Sequence, residues 1–155
     1  MKVKVNIDKK LDEIFIDIYT PSEDEKLKSI LDNLRMKKSI LNGYMEEKTY
    51  LLNINDIYSI YAENKKVYAH TKDKIYRVKH RLYELEEILD KNRFVRISNS
   101  AIINIYKIEN LEATINGMIT INFKNGKKEY ISRRYLKKVK KILDIWGELD
   151  DKNNI

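Results

Sequence analysis

Catalysis would first show in histidines, cysteines or converging carboxylates, and this chain is poor in all three. It has two histidines, His70 in a strand-like run and His80 at the start of a helix-like one, and no cysteine. Neither histidine belongs to an H-E-x-x-H pattern, and no Gly-rich phosphate loop is present, because three of the four glycines (Gly43, Gly117 and Gly126) follow asparagine. The carboxylates are scattered along the chain, whereas two-metal chemistry needs several that converge. Lack of cysteine also excludes a disulfide framework, a thiolate zinc site and a cysteine nucleophile. The expectation is a protein that is not an enzyme, with no metal, no cofactor and no small-molecule substrate.

Three other places carry side chains suited to nucleic acid, and all lie in loops or at element ends. Asn64-Lys65-Lys66 occupies a hairpin tip, where lysine is a flexible point charge for phosphate; a solubilising hairpin would look the same. In Arg96-Ile97-Ser98-Asn99-Ser100, asparagine can pair bidentately with adenine while the serines serve phosphates. Ser and Asn suit a plain turn equally well, and spacing alone does not separate the two readings. At Ser132-Arg133-Arg134 a helix begins: Ser132 is placed to cap it, free N–H groups there favour phosphate, and an arginine fork can grip guanine O6 and N7. Lys137 and Lys138 follow one turn later.

Charge supports an acidic partner for the later part of the chain. The formal net charge is +7, yet residues 1–34 hold six lysines against eight acids, leaving +9 on residues 35–155. From Lys124 to Lys141, nine Lys and Arg residues face Glu129 alone. A solvated helix face is the ordinary meaning of such a run; this one also spans a turn and a helix start. Apolar residues make up 43% of the 155, enough for a folded core, and no apolar run is long enough for a membrane span or signal peptide. A cytoplasmic protein is expected.

The elements that must position these residues can be read from hydrophobic periodicity. Val3, Val5 and Ile7, then Ile14, Ile16 and Ile18, alternate as two short strands, and Leu27, Ile30, Leu31 and Leu34 mark a helix over about residues 23–38, with Ser22 and Glu25 as a capping box. Strands rich in Tyr, Ile and Val are predicted at 40–45, 49–52, 57–61, 66–71 and 74–78, with Asn42-Gly43 expected to bulge or break the first. A helix at about 81–90 carries Glu84, Glu86 and Glu87 on its polar face and is a poor candidate for insertion into DNA. Strands resume at 94–97, 101–105, 108–113, 118–123 and 129–132, with Asn116-Gly117 and Asn125-Gly126 as hairpin turns. A last helix over about 133–146 has a stripe of Tyr135, Val139, Ile142 and Trp146.

The stretch from Phe94 to Asn104, followed through Asn125-Gly126-Lys127 to Tyr130-Ile131-Ser132-Arg133-Arg134-Tyr135-Leu136, resembles the LytTR DNA-binding family. The resemblance reaches back through Asn55 to Tyr61 and the Tyr83-Glu84-Leu85 helix, covering about residues 38–146. It implies a mainly β (α+β) fold: an elongated antiparallel domain with a C-terminal helix, whose loops enter successive major grooves of promoter DNA. By position it makes Asn99 and Arg134 the main base-contacting residues. It places the Lys65-Lys66 tip in a further contact loop, with Arg96, Ser98, Arg133 and Lys137 as phosphate neighbours. That further loop is shorter than in many relatives and offers lysine where some have histidine.

Residues 1–37, a β-β-α unit, are too few for the receiver domain that most relatives carry, so the chain resembles short stand-alone members. In that setting the unit would serve as a dimer contact on paired sites or dock a membrane-associated inhibitor or sensor. The latter, with DNA binding secondary, is the rival reading. RNA binding is a weaker one, since the tyrosines fall at packing positions. Residues 147–155 are expected to form an acidic, disordered tail.

Overall fold

A computed structural model describes residues 1–34 and 38–144, and the chain divides into two units, 1–36 and 37–155. Among the described residues of the first unit the only regular element is α1 (Glu25–Leu34). The alternating segments around Val5 and Ile16 form no strand, contrary to expectation, and Val3, Val5, Ile7, Ile14 and Phe15 are all well over half exposed. Alternation gives a strand one apolar face, but a strand exists only when another strand completes its hydrogen bonds. The cap of α1 is also displaced. Asp24 Oδ1 accepts from Leu27 N at 2.9 Å, so Asp24 and not Ser22 caps the helix, while the Ser22 carbonyl is taken by the Thr20 hydroxyl. A carboxylate complements the helix dipole where a serine hydroxyl cannot.

The described residues of the second unit form an antiparallel β structure with two α-helices. Its strands are β1 (Ile40–Met45), β2 (Lys48–Asn53), β3 (Ser59–Glu63), β4 (Lys66–His70), β5 (Ile75–Val78), β6 (Phe94–Ser98), β7 (Ala101–Asn104), β8 (Ile108–Ala113), β9 (Ile119–Phe123) and β10 (Lys128–Tyr130). Helix α2 (Leu82–Ile88) separates β5 from β6, and α3 (Arg133–Leu143) follows β10. Seven strands form one sheet in the order β2-β1-β5-β4-β3-β7-β6, and three form a second in the order β10-β9-β8.

Because side chains alternate across a sheet, the large sheet feeds two cores. Leu41, Ile60, Ala69, Tyr76, Val78 and Ile102 pack with Leu82 and Leu85 of α2 and with Leu89 just beyond it. Val95, Ile97 and Ile103 join Ile121 and Phe123 of the second sheet, Ile131, and Val139 of α3. Trp146, expected to extend the α3 stripe, and the tail lie outside the described residues.

Gly43 does not break β1, which pairs continuously with β2. A Cβ at Gly43 would meet Leu52 Cδ1 at 2.6 Å and Tyr76 Cβ at 2.8 Å, so glycine is needed for close packing and not for a bulge. The Asn-Gly turns also differ from the tight hairpin form. Only the glycines, Gly117 and Gly126, have positive φ there, and the two-residue turns with both central residues left-handed fall at Glu46-Glu47 and Asn64-Lys65. That is the geometry whose twist matches the flanking strands.

Candidate nucleic-acid interface

The three loop regions singled out by residue type come together through two backbone hydrogen bonds. In β6 the register shifts between Arg96, paired with Ile102, and Ser98, paired with Ala101. Ile97 is the extra residue of this bulge, and a bulge re-aims the strand that carries it. Its carbonyl, left out of the ladder, accepts from Ser132 N at 3.0 Å, which fixes the start of α3 beside the β6–β7 turn. From the other side, Ala62 N donates to Ser100 O at 2.7 Å, which ties the same turn to the β3–β4 hairpin.

Asn64, Lys65 and Lys66 are exposed at that hairpin's tip, with φ of 50° at Asn64 and 61° at Lys65. Asn99 and Ser100 form the exposed β6–β7 turn. Ser98 is half-buried, and its hydroxyl accepts from Ser100 N at 3.2 Å and lies 3.3 Å from the Ser100 hydroxyl, so it shapes the turn. Arg133, Arg134 and Lys137 are exposed on the first turns of α3. Ser132 stands at the N-cap position, but its side chain makes no cap hydrogen bond. The helix start is secured instead by the Ser132 backbone, whose N–H is held by Ile97 and whose carbonyl accepts from Tyr135 N at 2.9 Å.

Arg96 sits apart from the other cations. Its Nε donates to Ser98 O at 2.7 Å, Nη1 to Glu86 Oε2 of α2 at 2.9 Å, and Nη2 to the Asn99 carbonyl. With its side chain only 13% exposed, the guanidinium braces the turn from within. Tyr135, which periodicity assigns to the core stripe, donates its hydroxyl to Asn99 Oδ1 at 3.0 Å. No sequence signal marks this bond, since the partners stand 36 residues apart.

Between the hairpin, the turn and β10 opens a cleft of about 420 Å³ lined in part by Tyr61, Glu63, His70, Ser98, Glu129 and Tyr130. His70 packs edge-on against Tyr61 at 4.4 Å between ring centroids. Burial, helped by the nearby Lys127 charge, lowers its pKa to about 4. Burial also pushes the Glu129 carboxyl above its usual range. Neither group joins a metal set: among the described residues no cluster of three or more His, Asp or Glu could hold an ion. No described helix is long and apolar enough to cross a membrane.

The two backbone bonds thus bring exposed Asn, Ser, Arg and Lys side chains of three loops of an antiparallel β domain near one another. The chain belongs to the LytTR family: residues 47–144 match the model of the LytTr DNA-binding domain. Two Staphylococcus aureus proteins, from strains MSSA476 and NCTC 8325 / PS 47, each described as an uncharacterized HTH-type transcriptional regulator, are 38% and 37% identical to it over 147 residues. Those alignments cover 94% of this chain and 99% of each relative. The fold is that of the LytTr DNA-binding domain of a methyl-accepting/DNA response regulator from Bacillus cereus. The TM-score is 0.66 at 23% identity, over 68% of this chain and 97% of that one. Although the relatives carry a helix-turn-helix description, α2 and α3 here are separated by the five strands β6–β10.

Proposed function

We propose that this DNA-binding transcription regulator reads promoter duplexes through loops, with Asn99 and Arg134 contacting bases in successive major grooves. Lys65, Lys66, Arg133 and Lys137 neutralise backbone phosphates, and Asn64, Ser98 and Ser100 shape or extend the contact loops. The carrying observation is the pair of backbone bonds, Ile97 O to Ser132 N and Ala62 N to Ser100 O, that sets the three loops side by side. Asparagine and arginine are the side chains that pair bidentately with adenine and guanine, and lysine supplies sequence-independent attraction. Arg96 is better read as a support for Asn99 than as a phosphate ligand, because its guanidinium donors are engaged inside the protein.

The test is a fluorescence-anisotropy titration with the duplex upstream of the protein's own gene and a shuffled duplex, at near-physiological salt. Asn99→Ala and Arg134→Ala should each cost about 1–3 kcal/mol on the specific duplex and little on the shuffled one. Equal, weak binding to both duplexes that neither variant changes would reduce the basic region to a surface property.

A second reading concerns the first unit, where Val3, Val5, Ile7, Ile14 and Phe15 are exposed. Exposed apolar side chains in this number suit a protein contact. We assign it to a homodimer on paired DNA sites, with docking of a membrane-associated inhibitor or sensor as the alternative. Sedimentation of the full chain over a wide concentration range decides the dimer form, and a monomer throughout ends it.

A further inference from the structure

The β6–β7 turn is clamped on both its backbone and its side chain. The Arg96 fork holds the carbonyls of Ser98 and Asn99 while anchored to Glu86 of α2. The Tyr135 hydroxyl in turn holds Asn99 Oδ1 at 3.0 Å. We propose that Tyr135 is a specificity-determining positioning residue, whose hydroxyl sets the Asn99 carboxamide in the pose that reads a base pair, over a backbone fixed by Arg96. The inference rests on the reading of Asn99 as a base-contacting residue.

An exposed asparagine on a turn is free to rotate, and ordering it costs binding energy each time DNA arrives. Tyr135 removes that freedom beforehand. Its half-buried ring packs against the second core, alongside Leu136 and near Val139, so the hydroxyl is presented from a fixed base. An amide oxygen has two acceptor sites. One takes the phenol proton, the other remains for adenine N6–H, and Nδ2 is left to donate to N7. A phenylalanine would fill the same core, so the oxygen is the feature that packing does not require. Arginine suits the other side of the clamp because its planar fork can grip the two turn carbonyls and a carboxylate at once.

The test is selection from a random-sequence duplex library with the full chain in four forms: wild type, Asn99→Ala, Tyr135→Phe and the double variant. Binding to an unselected duplex is measured against salt alongside. Tyr135→Phe should weaken discrimination about two- to tenfold, at the same base positions that Asn99→Ala loses and nowhere else. Its thermal midpoint and salt slope should match wild type, and the double variant should match Asn99→Ala. If Tyr135→Phe selects the wild-type motif at full strength while Asn99→Ala does not, the tyrosine only packs and the inference falls. It falls equally if discrimination fades at every position together, because that reports general loosening. A wild-type chain that enriches no motif, or Asn99→Ala selecting the wild-type motif, sinks the base-reading role of Asn99 and takes the inference with it.

Discussion

Asn99 and Asn104 stand five residues apart on one hairpin and illustrate how position decides what the same side chain does. Asn104 is fully buried. Its Nδ2 donates to Ile57 O at 2.8 Å and its Oδ1 accepts from Tyr106 N at 3.1 Å, so it joins strand β7 to the segment entering β3. Asn104→Ala should lower unfolding free energy by about 1–3 kcal/mol, the cost of leaving buried partners unsatisfied, while DNA affinity measured below the unfolding transition stays unchanged. Chemical denaturation paired with a binding titration checks both halves.

His70 makes a prediction of its own. The native state keeps it neutral down to about pH 4, whereas the unfolded chain takes up a proton near pH 6.5. The unfolded state therefore binds more protons between those values, and stability falls as pH drops from 6.5 towards 4. Glu129, whose carboxyl is shifted up by burial, opposes this by taking its proton earlier in the folded state. His70→Gln should flatten the loss of stability over that window, and a denaturation series from pH 7 to 4 that keeps the same slope would contradict the assignment.

At the scale of elements, two devices position the site: the left-handed turn at Asn64-Lys65 and the bulge at Ile97. A non-glycine residue in the left-handed region is strained by its Cβ, and Lys65 at φ 61° carries that strain in a sequence that could have used glycine. Lys65→Gly is expected to stabilise the fold by about 0.5–1 kcal/mol. It should also reduce the slope of log affinity against log salt by about 0.9, the signature of one lost phosphate contact. Thermal melts and a salt titration would show opposite consequences of one change. The bulge acts differently, since its free carbonyl at Ile97 is what captures Ser132 and seats α3 beside the turn.

At the scale of the molecule, every buried apolar side chain among the described residues lies between Leu41 and Val139. A chain beginning at Lys38 should therefore fold cooperatively and bind a single site as the full chain does, while losing any cooperativity on paired sites. Calorimetry and binding to one-site and two-site duplexes test this, and a truncated chain with no cooperative transition would show that the first unit is needed for the core. The alternation of Ile, Val and Tyr, the helix periods and the basic run made most of the second unit legible, because those patterns report which face of an element is buried. The loop residues stand out in the sequence by type alone, and the structure adds where they lie: exposed at the hairpin tip, the β6–β7 turn and the start of α3. The same alternation misled at Val3–Ile7 and Ile14–Ile18, where no neighbouring strand completes the hydrogen bonds. Only the tertiary structure decided that three loops meet, that Arg96 turns inward, and that Tyr135 reaches Asn99. Each of those depends on register and on contacts between residues far apart in the chain, and local sequence periodicity holds no record of which distant carbonyl or hydroxyl an element will find.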